Sequence, residues 1–119
     1  MNVQTVSGAL FDKGHAATGP APFNLAHLAR QTMGDRKLAL EVLGMFQTQT
    51  GDMRERMLSS DLQSRREIAH ALVGSARGVG AEAIASCAAV IEKNPDDDNS
   101  VRQLSKLIDE ASEFISQLR

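Results

Sequence analysis

The sequence predicts an all-α fold, an antiparallel (up-down-up-down) four-helix bundle with a short additional N-terminal helix. Three observations lead to this prediction. Apolar residues recur at spacings of three and four along most of the chain. Capping residues and glycines divide that pattern into separate helical segments. No segment shows the sustained alternation of apolar and polar residues that is typical of a strand.

The first residues differ from the rest of the chain. Residues 1–22 contain three glycines and two prolines and lack helical periodicity, so we predict a loose N-terminal arm. Residues 23–119 are predicted to form the helical bundle domain, because a chain of 119 residues is long enough to bury one hydrophobic core. Four apolar residues of the arm offer some local packing: Val6, Ala9, Leu10 and Phe11.

Caps and glycines delimit the first three predicted helices. Asn24 is the predicted N-cap of a short helix that Gly34 ends, and Asp35 is the predicted N-cap of the second helix. Ser60 and Gln63 fit a capping box that opens the third helix. The second helix is predicted to reach about residue 59 with an apolar stripe of Leu38, Val42, Met45, Phe46, Met53 and Met57.

The last two predicted helices follow a glycine-containing turn. Gly78 and Gly80 close the third helix, with Val79 as an apolar anchor between them. The fourth helix stops before Asn94-Pro95, and the acidic run at residues 96–98 supplies caps for the fifth. The predicted inner stripes are Ile84, Ala88 and Ile91 on the fourth helix and Val101, Leu104, Ile108, Ala111, Ile115 and Leu118 on the fifth.

His70, on the third helix, does not fit the pattern of core residues. At about 100° per residue, the apolar positions Ala69, Leu72 and Ala76 cluster roughly 200–260° around the helix from His70. The imidazole is therefore predicted to point away from the buried face and into solvent. A histidine in that position is a candidate for chemistry with another molecule.

Gly74 lies beside His70 on the outward face. A glycine inside a helix costs up to about 1 kcal/mol relative to alanine, so its position needs a reason. The preferred interpretation is clearance for a molecule that approaches the imidazole, and the alternative is close packing of two helices. Arg66, one turn before His70, and Arg77, two turns after it, make this face positive.

Composition excludes several classes of function. The chain has four Phe and no Trp or Tyr, so it lacks stacking platforms for single-stranded nucleic acid. Its formal net charge of −2 argues against binding to a phosphate backbone. Nothing at the start of the sequence marks a secretion signal, so none is expected, and no apolar run is long enough for a membrane span. The lone Cys87 fits a reducing compartment. We expect a soluble, cytoplasmic protein that binds neither nucleic acid nor membrane.

The other candidate residues have simpler interpretations. His15 lies in the predicted arm and His27 on the short helix, without carboxylates or thiols at metal-ligand spacing, so no metal site is expected. Cys87 lies on the flank of the fourth helix's apolar stripe and is interpreted as a small buried residue. The glycine-containing run at residues 78–81 follows no strand, which argues against a nucleotide-binding loop.

One longer motif begins at His70. The residues that carry it are His70, Leu72, Gly74, Ser75, Gly80, Ala81, Ile84, Cys87, Ile91 and Glu92. This motif resembles that of the histidine-containing phosphotransfer (Hpt) domain. Upstream, Asp35 and the helix after it look like the family's second helix, so the resemblance covers about residues 23–118.

The resemblance implies an activity and a set of site residues. Such domains carry a phosphoryl group on one histidine and exchange it with an aspartate of a response-regulator receiver domain, without kinase activity of their own. His70 is then the phosphoacceptor, and Glu92 is the polar residue that hydrogen-bonds and orients the imidazole. Arg66 and Arg77 are placed to attract the acidic receiver. No cofactor is expected on this chain, since the Mg²⁺ belongs to the receiver. The expected partners of this monomer are receiver domains, hybrid sensor histidine kinases or both.

Val73 departs from the family's pattern, which usually has a lysine three residues after the histidine. The valine removes the nearest positive charge from the phosphohistidine. It lies about 60° from His70 on the side predicted to be exposed, so we expect it to contribute little to the core and to tolerate lysine. The departure leaves an alternative function, a helical adaptor or inhibitor that docks a receiver or kinase domain without carrying phosphate. The intact His70 and Gly74 favour the active carrier.

Overall fold

The computed structural model describes residues 21–118, which form five α-helices and no strand. These helices are α1 (Leu25–Gln31), α2 (Arg36–Ser59), α3 (Leu62–Gly78), α4 (Glu82–Lys93) and α5 (Asp98–Leu118). The all-α prediction is therefore confirmed for this part of the chain. Most of the predicted arm, including His15 and the apolar residues from Val6 to Phe11, lies outside the described residues. Between residues 21 and 118, no helix is both long and apolar enough to cross a membrane.

The four longer helices pack against one another in chain order, and α5 returns to α2. Side-chain hydrogen bonds between α2 and α5 join Arg36 to Leu118, Gln47 to Ser112 and Arg54 to Asp109. Early residues of α2 thus meet late residues of α5, so these two helices run in opposite directions.

The inner stripes of α4 and α5 agree with the predicted periodicity. On α4, Ala85 joins the three predicted residues in the core. On α5, all six predicted positions are buried. Regular spacing of three and four residues places them along one side of the helix, which faces the rest of the bundle.

The stripe predicted for α2 is wrong at two positions. Leu38 and Met45 are exposed, and Met45 is 72% accessible to solvent. Met45 lies about 100° around the helix from its buried neighbour Phe46, on a side of α2 that faces solvent. Of the other predicted positions, Phe46, Met53 and Met57 are buried and Val42 is half-buried. The remaining buried residues of α2 are Ala39, Leu43 and Thr50.

The helix starts use the acidic and amide side chains that the sequence indicated. Asn24 and Asp35 accept backbone N–H bonds of 3.0 and 3.1 Å in the first turns of α1 and α2. At the start of α5, Asp97 accepts a 3.1 Å bond from the backbone N–H of Ser100. Hydrogen bonds to Ser100 lower the pKa of Asp97, because they stabilise its charged form.

The short helix α1 is attached to the turn between α3 and α4. Leu28 on α1 is fully buried. The backbone N–H of Asn24 donates to the carbonyl of Gly80 at 2.8 Å. His27 Nε2 lies 3.2 Å from the carbonyl oxygen of Gly78, so the ring contacts the last residue of α3. These contacts hold α1 next to the end of the helix that carries His70.

Candidate functional site

The helix that carries His70 begins at Asp61. The Asp61 carboxylate accepts a 2.7 Å hydrogen bond from the backbone N–H of Ser64, and this bond lowers the pKa of Asp61. The capping box predicted for Ser60 and Gln63 is therefore wrong, because the N-cap lies one residue later. The hydroxyl of Ser60 donates instead to a carbonyl of the preceding helix.

Arg65 holds the first turn of α3 against its neighbours, a role that the sequence analysis missed. Its side chain donates to the carbonyls of Met57 and Pro95, at 3.1 and 2.9 Å, and lies 3.5 Å from the Asp98 carboxylate. It is only 12% exposed, whereas the next residue, Arg66, is exposed. Helical periodicity alone carries no signal for these partners, since they come from distant parts of the chain.

The other end of α3 is fixed by a Schellman motif around Gly80. The backbone N–H of Ala81 donates to the carbonyl of Ala76 at 2.8 Å, which closes the helix. Gly80 has a φ of 76°, in the left-handed region, and a Cβ there would lie 3.0 Å from the carbonyl oxygen of Asn24. Both the turn and the attachment of α1 therefore require glycine. Val79 is buried, as predicted.

His70 lies on the flank of α3 that meets α4, with its side chain 76% exposed. Glu92, in the last turn of α4, places its Oε2 atom 2.6 Å from His70 Nδ1. The structure thus brings together two residues that are 22 positions apart in the sequence. The Glu92 side chain is 33% exposed, so its partly buried stem holds the carboxylate in place.

This contact determines which imidazole nitrogen is available. An ionised carboxylate can only accept a hydrogen bond, so Nδ1 must donate to Glu92. A neutral imidazole with its proton on Nδ1 carries its lone pair on Nε2. No described residue forms a hydrogen bond with His70 Nε2. The site therefore presents an oriented nitrogen nucleophile to solvent.

Gly74 leaves open space beside the imidazole. A Cβ built on Gly74 would meet no atom within 4 Å, so no described helix packs closely against it. Helix packing is thus excluded as the reason for this glycine among residues 21–118. The remaining interpretation is clearance for another molecule.

The prediction that Val73 contributes little to the core is wrong. Val73 is 9% exposed and belongs to the hydrophobic core. It lies about 60° from His70 and about 60° from Ala76, so its angle on the helix does not decide its environment. The flank it occupies is covered because α4 packs there, as the bond between His70 and Glu92 shows. Ile68, which the sequence analysis did not place in the core, is buried on the opposite edge of the stripe.

Two cations remain on the outward face of α3. Arg66 and Arg77 are exposed, and neither forms an ion pair with a described residue. On a helix they lie about 40° and 20° from the direction of His70. Their guanidinium groups are thus available to an anion near the imidazole.

The other candidates from the sequence lie apart from His70. The Cys87 thiol donates to the carbonyl of Ser100 at 3.2 Å, and burial, with a smaller effect from the nearby Asp97 charge, raises its pKa. A thiol with a raised pKa is a poor nucleophile. His27 contacts only backbone near the α3 terminus. Over residues 21–118, no group of three or more His, Cys, Asp or Glu side chains could hold a metal ion.

The fold and the site define a class of protein, an all-helical domain that presents one oriented, solvent-exposed histidine. The family model of the Hpt domain matches residues 41–118, from α2 to the end of α5. The chain belongs to the Hpt domain family. Domains of this family act as phosphocarriers, not kinases, in phosphorelays and interact with receiver domains and kinases. Comparisons with curated proteins and with solved structures gave no match.

Replacing Glu92 with alanine should change which nitrogen of the His70 imidazole carries the proton. In the wild type, ¹⁵N chemical shifts of the neutral imidazole should report a proton predominantly on Nδ1, because Glu92 accepts it. In Glu92→Ala the population should move toward the form protonated on Nε2. Glu82→Ala, on the same helix but outside the site, is the matched control and should leave the His70 shifts unchanged. Equal tautomer populations in the wild type and Glu92→Ala would contradict this assignment.

Replacing Val73 with lysine should destabilise the fold, because an apolar side chain is lost from the core and a charged one enters its edge. We expect a cost on the order of 1 kcal/mol, limited by the ability of lysine to extend its amine into solvent. Ala71→Lys adds the same charge at an exposed position of α3. Urea unfolding should therefore give a lower midpoint for Val73→Lys than for Ala71→Lys. A midpoint equal to that of the control would mean that Val73 packs weakly.

Proposed function

We propose that this protein is a histidine phosphocarrier in a two-component phosphorelay, and that His70 exchanges a phosphoryl group with the aspartate of a receiver domain. The observation that carries the proposal is the 2.6 Å contact between His70 Nδ1 and Glu92, which leaves Nε2 exposed. Membership of the Hpt family supports the same activity. The open space at Gly74 supports the approach of a partner.

In the proposed transfer, the imidazole of His70 is the nucleophile. The Nε2 lone pair attacks the phosphorus of the aspartyl phosphate, a bond between Nε2 and phosphorus forms, and the bond from phosphorus to the aspartyl oxygen breaks. The aspartate leaves as a carboxylate. The Nδ1 proton stays on the ring, which becomes a cation, and the Glu92 carboxylate stabilises that charge. The reverse sequence returns the phosphoryl group to a receiver.

The charge that a phosphoryl group brings must be balanced on the outward face of α3. Val73 supplies no positive charge, because its side chain is apolar and lies in the core. We assign this role to Arg66 and Arg77, which are exposed and lack ion-pair partners among the described residues. The Mg²⁺ and the acidic cluster that catalysis of phosphoryl transfer requires belong, in this proposal, to the receiver.

The proposal also includes the topology of the bundle, the partners, the oligomeric state and the cellular location. The four longer helices are assigned to an up-down-up-down bundle with α1 across one end, which the opposite directions of α2 and α5 support. The partners are a receiver domain, a hybrid sensor histidine kinase or both, and the protein acts as a monomer in the cytoplasm. An adaptor that docks a receiver without accepting phosphate is the second candidate, favoured by the absence of a lysine at position 73.

Replacing His70 with glutamine should abolish phosphoryl acceptance and leave the fold intact, because the side chain is mostly exposed. The protein is incubated with a phosphorylated receiver domain, and the label on the chain is measured for lability in acid and stability in base. His27→Gln and His15→Gln are the matched controls and should retain the label. A wild-type chain that binds the receiver but takes no label would favour the adaptor.

Replacing Gly74 with alanine should have opposite effects on the stability of the fold and on the rate of phosphoryl transfer. The added Cβ meets open space, so the variant should gain up to about 1 kcal/mol of helix stability. Transfer to His70 should nevertheless slow, and Gly74→Leu should slow it further, because each side chain narrows the approach to Nε2. Gly51→Ala is the matched control, since its Cβ also meets open space within a helix. It should gain stability without slowing transfer. Undiminished transfer in both Gly74 variants would refute the clearance interpretation.

A further inference from the structure

A groove between α4 and α5 lies on the side of α4 away from the candidate site. Ala83 and Ile84 from α4 and Leu107 and Phe114 from α5 line it. Ala83 is about 180° around α4 from Glu92, so the groove and His70 occupy different sides of the bundle. Leu107 and Phe114 are only half-buried, so apolar surface remains accessible in the groove. We call this surface the α4–α5 groove.

The chain enters the core beside this groove. Ala21 and Pro22 contribute to its lining. The next residue, Phe23, is 4% exposed, and its ring centroid lies 5.8 Å from that of Phe46 and 5.9 Å from that of Phe114. These aromatic contacts anchor the chain at the groove. The segment before Ala21 therefore starts next to an accessible apolar surface.

The groove has an acidic rim on one side. Glu110 and Glu113 line the α5 side, and neither forms an ion pair with a described residue. Residues 12–15 contain one acidic residue, Asp12, and one lysine, Lys13, so their formal charge is zero with His15 neutral. They directly follow the apolar residues 9–11. The groove therefore combines an apolar lining with an acidic rim on its α5 side.

We propose that residues 6–11 of the same chain dock in the α4–α5 groove, with Leu10 and Phe11 covering Leu107 and Phe114. Phe11 precedes Ala21 by ten residues, which can span up to about 33–36 Å. Leu107 and Phe114 are about 10 Å apart along α5, so the segment reaches the whole groove. A short tether gives an effective concentration in the millimolar range, so even a weak site is occupied. The proposal does not depend on phosphotransfer at His70.

The test uses fluorescence of the full-length chain. Because the protein has no Trp or Tyr, Phe11→Trp introduces a single fluorophore into the segment. We expect its emission to be blue-shifted, and its quenching by iodide to be several times weaker, than in Asn2→Trp. That control carries the same fluorophore outside the apolar patch. Both differences should be independent of protein concentration.

Variants in the groove test the docking surface. Leu107→Glu in the Phe11→Trp protein should restore quenching to the level of Asn2→Trp. Gln103→Glu adds the same charge to an exposed position of α5 outside the groove and should not.

Several outcomes would overturn the proposal. Emission and quenching of Phe11→Trp equal to those of Asn2→Trp would mean that the segment does not dock, whatever the groove variants do. A blue shift that appears only as the protein concentration rises would assign the groove to a second copy of the chain. Protection that survives Leu107→Glu would place the segment elsewhere on the molecule.

Discussion

The contact between α3 and α4 is the most extensive between any two helices of the described bundle, and small side chains make it possible. Ala69 and Ala76 on α3 and Ala85 and Ala88 on α4 are almost completely buried. Small residues on facing helices allow the backbones to approach closely. At that separation the carboxylate of Glu92 reaches the imidazole of His70 with a 2.6 Å contact. A larger residue on either inner face would move the two groups apart and leave the tautomer unspecified.

The tight turn between these helices supports the same contact. Gly80 adopts a left-handed backbone conformation that few other residues accept, and its carbonyl accepts a hydrogen bond from the backbone N–H of Asn24, the N-cap of α1. At the opposite end of α3, Arg65 bonds to the end of α2 and to the connection before α5. Both ends of the histidine-bearing helix are thus fixed by contacts with distant segments. No other side chain has to pack over the imidazole, because its orientation comes from one hydrogen bond to Glu92 and from its own helix.

The two sides of α4 contribute to two different surfaces of the molecule. One side holds Glu92 against α3 and orients His70. The other side forms the groove with α5, where the chain enters the core at Phe23. Separation of the two surfaces means that the N-terminal segment can dock without covering the imidazole. It also means that, in the proposed transfer, a receiver would approach His70 over the face that carries Arg66, Gly74 and Arg77, which is open among the described residues.

The sequence by itself determined the helices and the exposure of His70. Strict spacing of apolar residues on α4 and α5, acidic and amide caps, and glycines at turns are local signals, because helix geometry and end hydrogen bonds depend on near neighbours in the chain. The resemblance to Hpt domains likewise depended on a local motif.

Tertiary structure decided which borderline positions were buried. Val73 and Met45 both lie at the edges of apolar stripes, and one is in the core while the other is in solvent because α4 covers only the first. Arg65 and Arg66 are identical neighbours, yet within residues 21–118 only the Arg65 side chain has partners, since those partners come from distant segments of the chain. Periodicity gives the direction of a side chain from its own helix, but burial depends on what packs against that side.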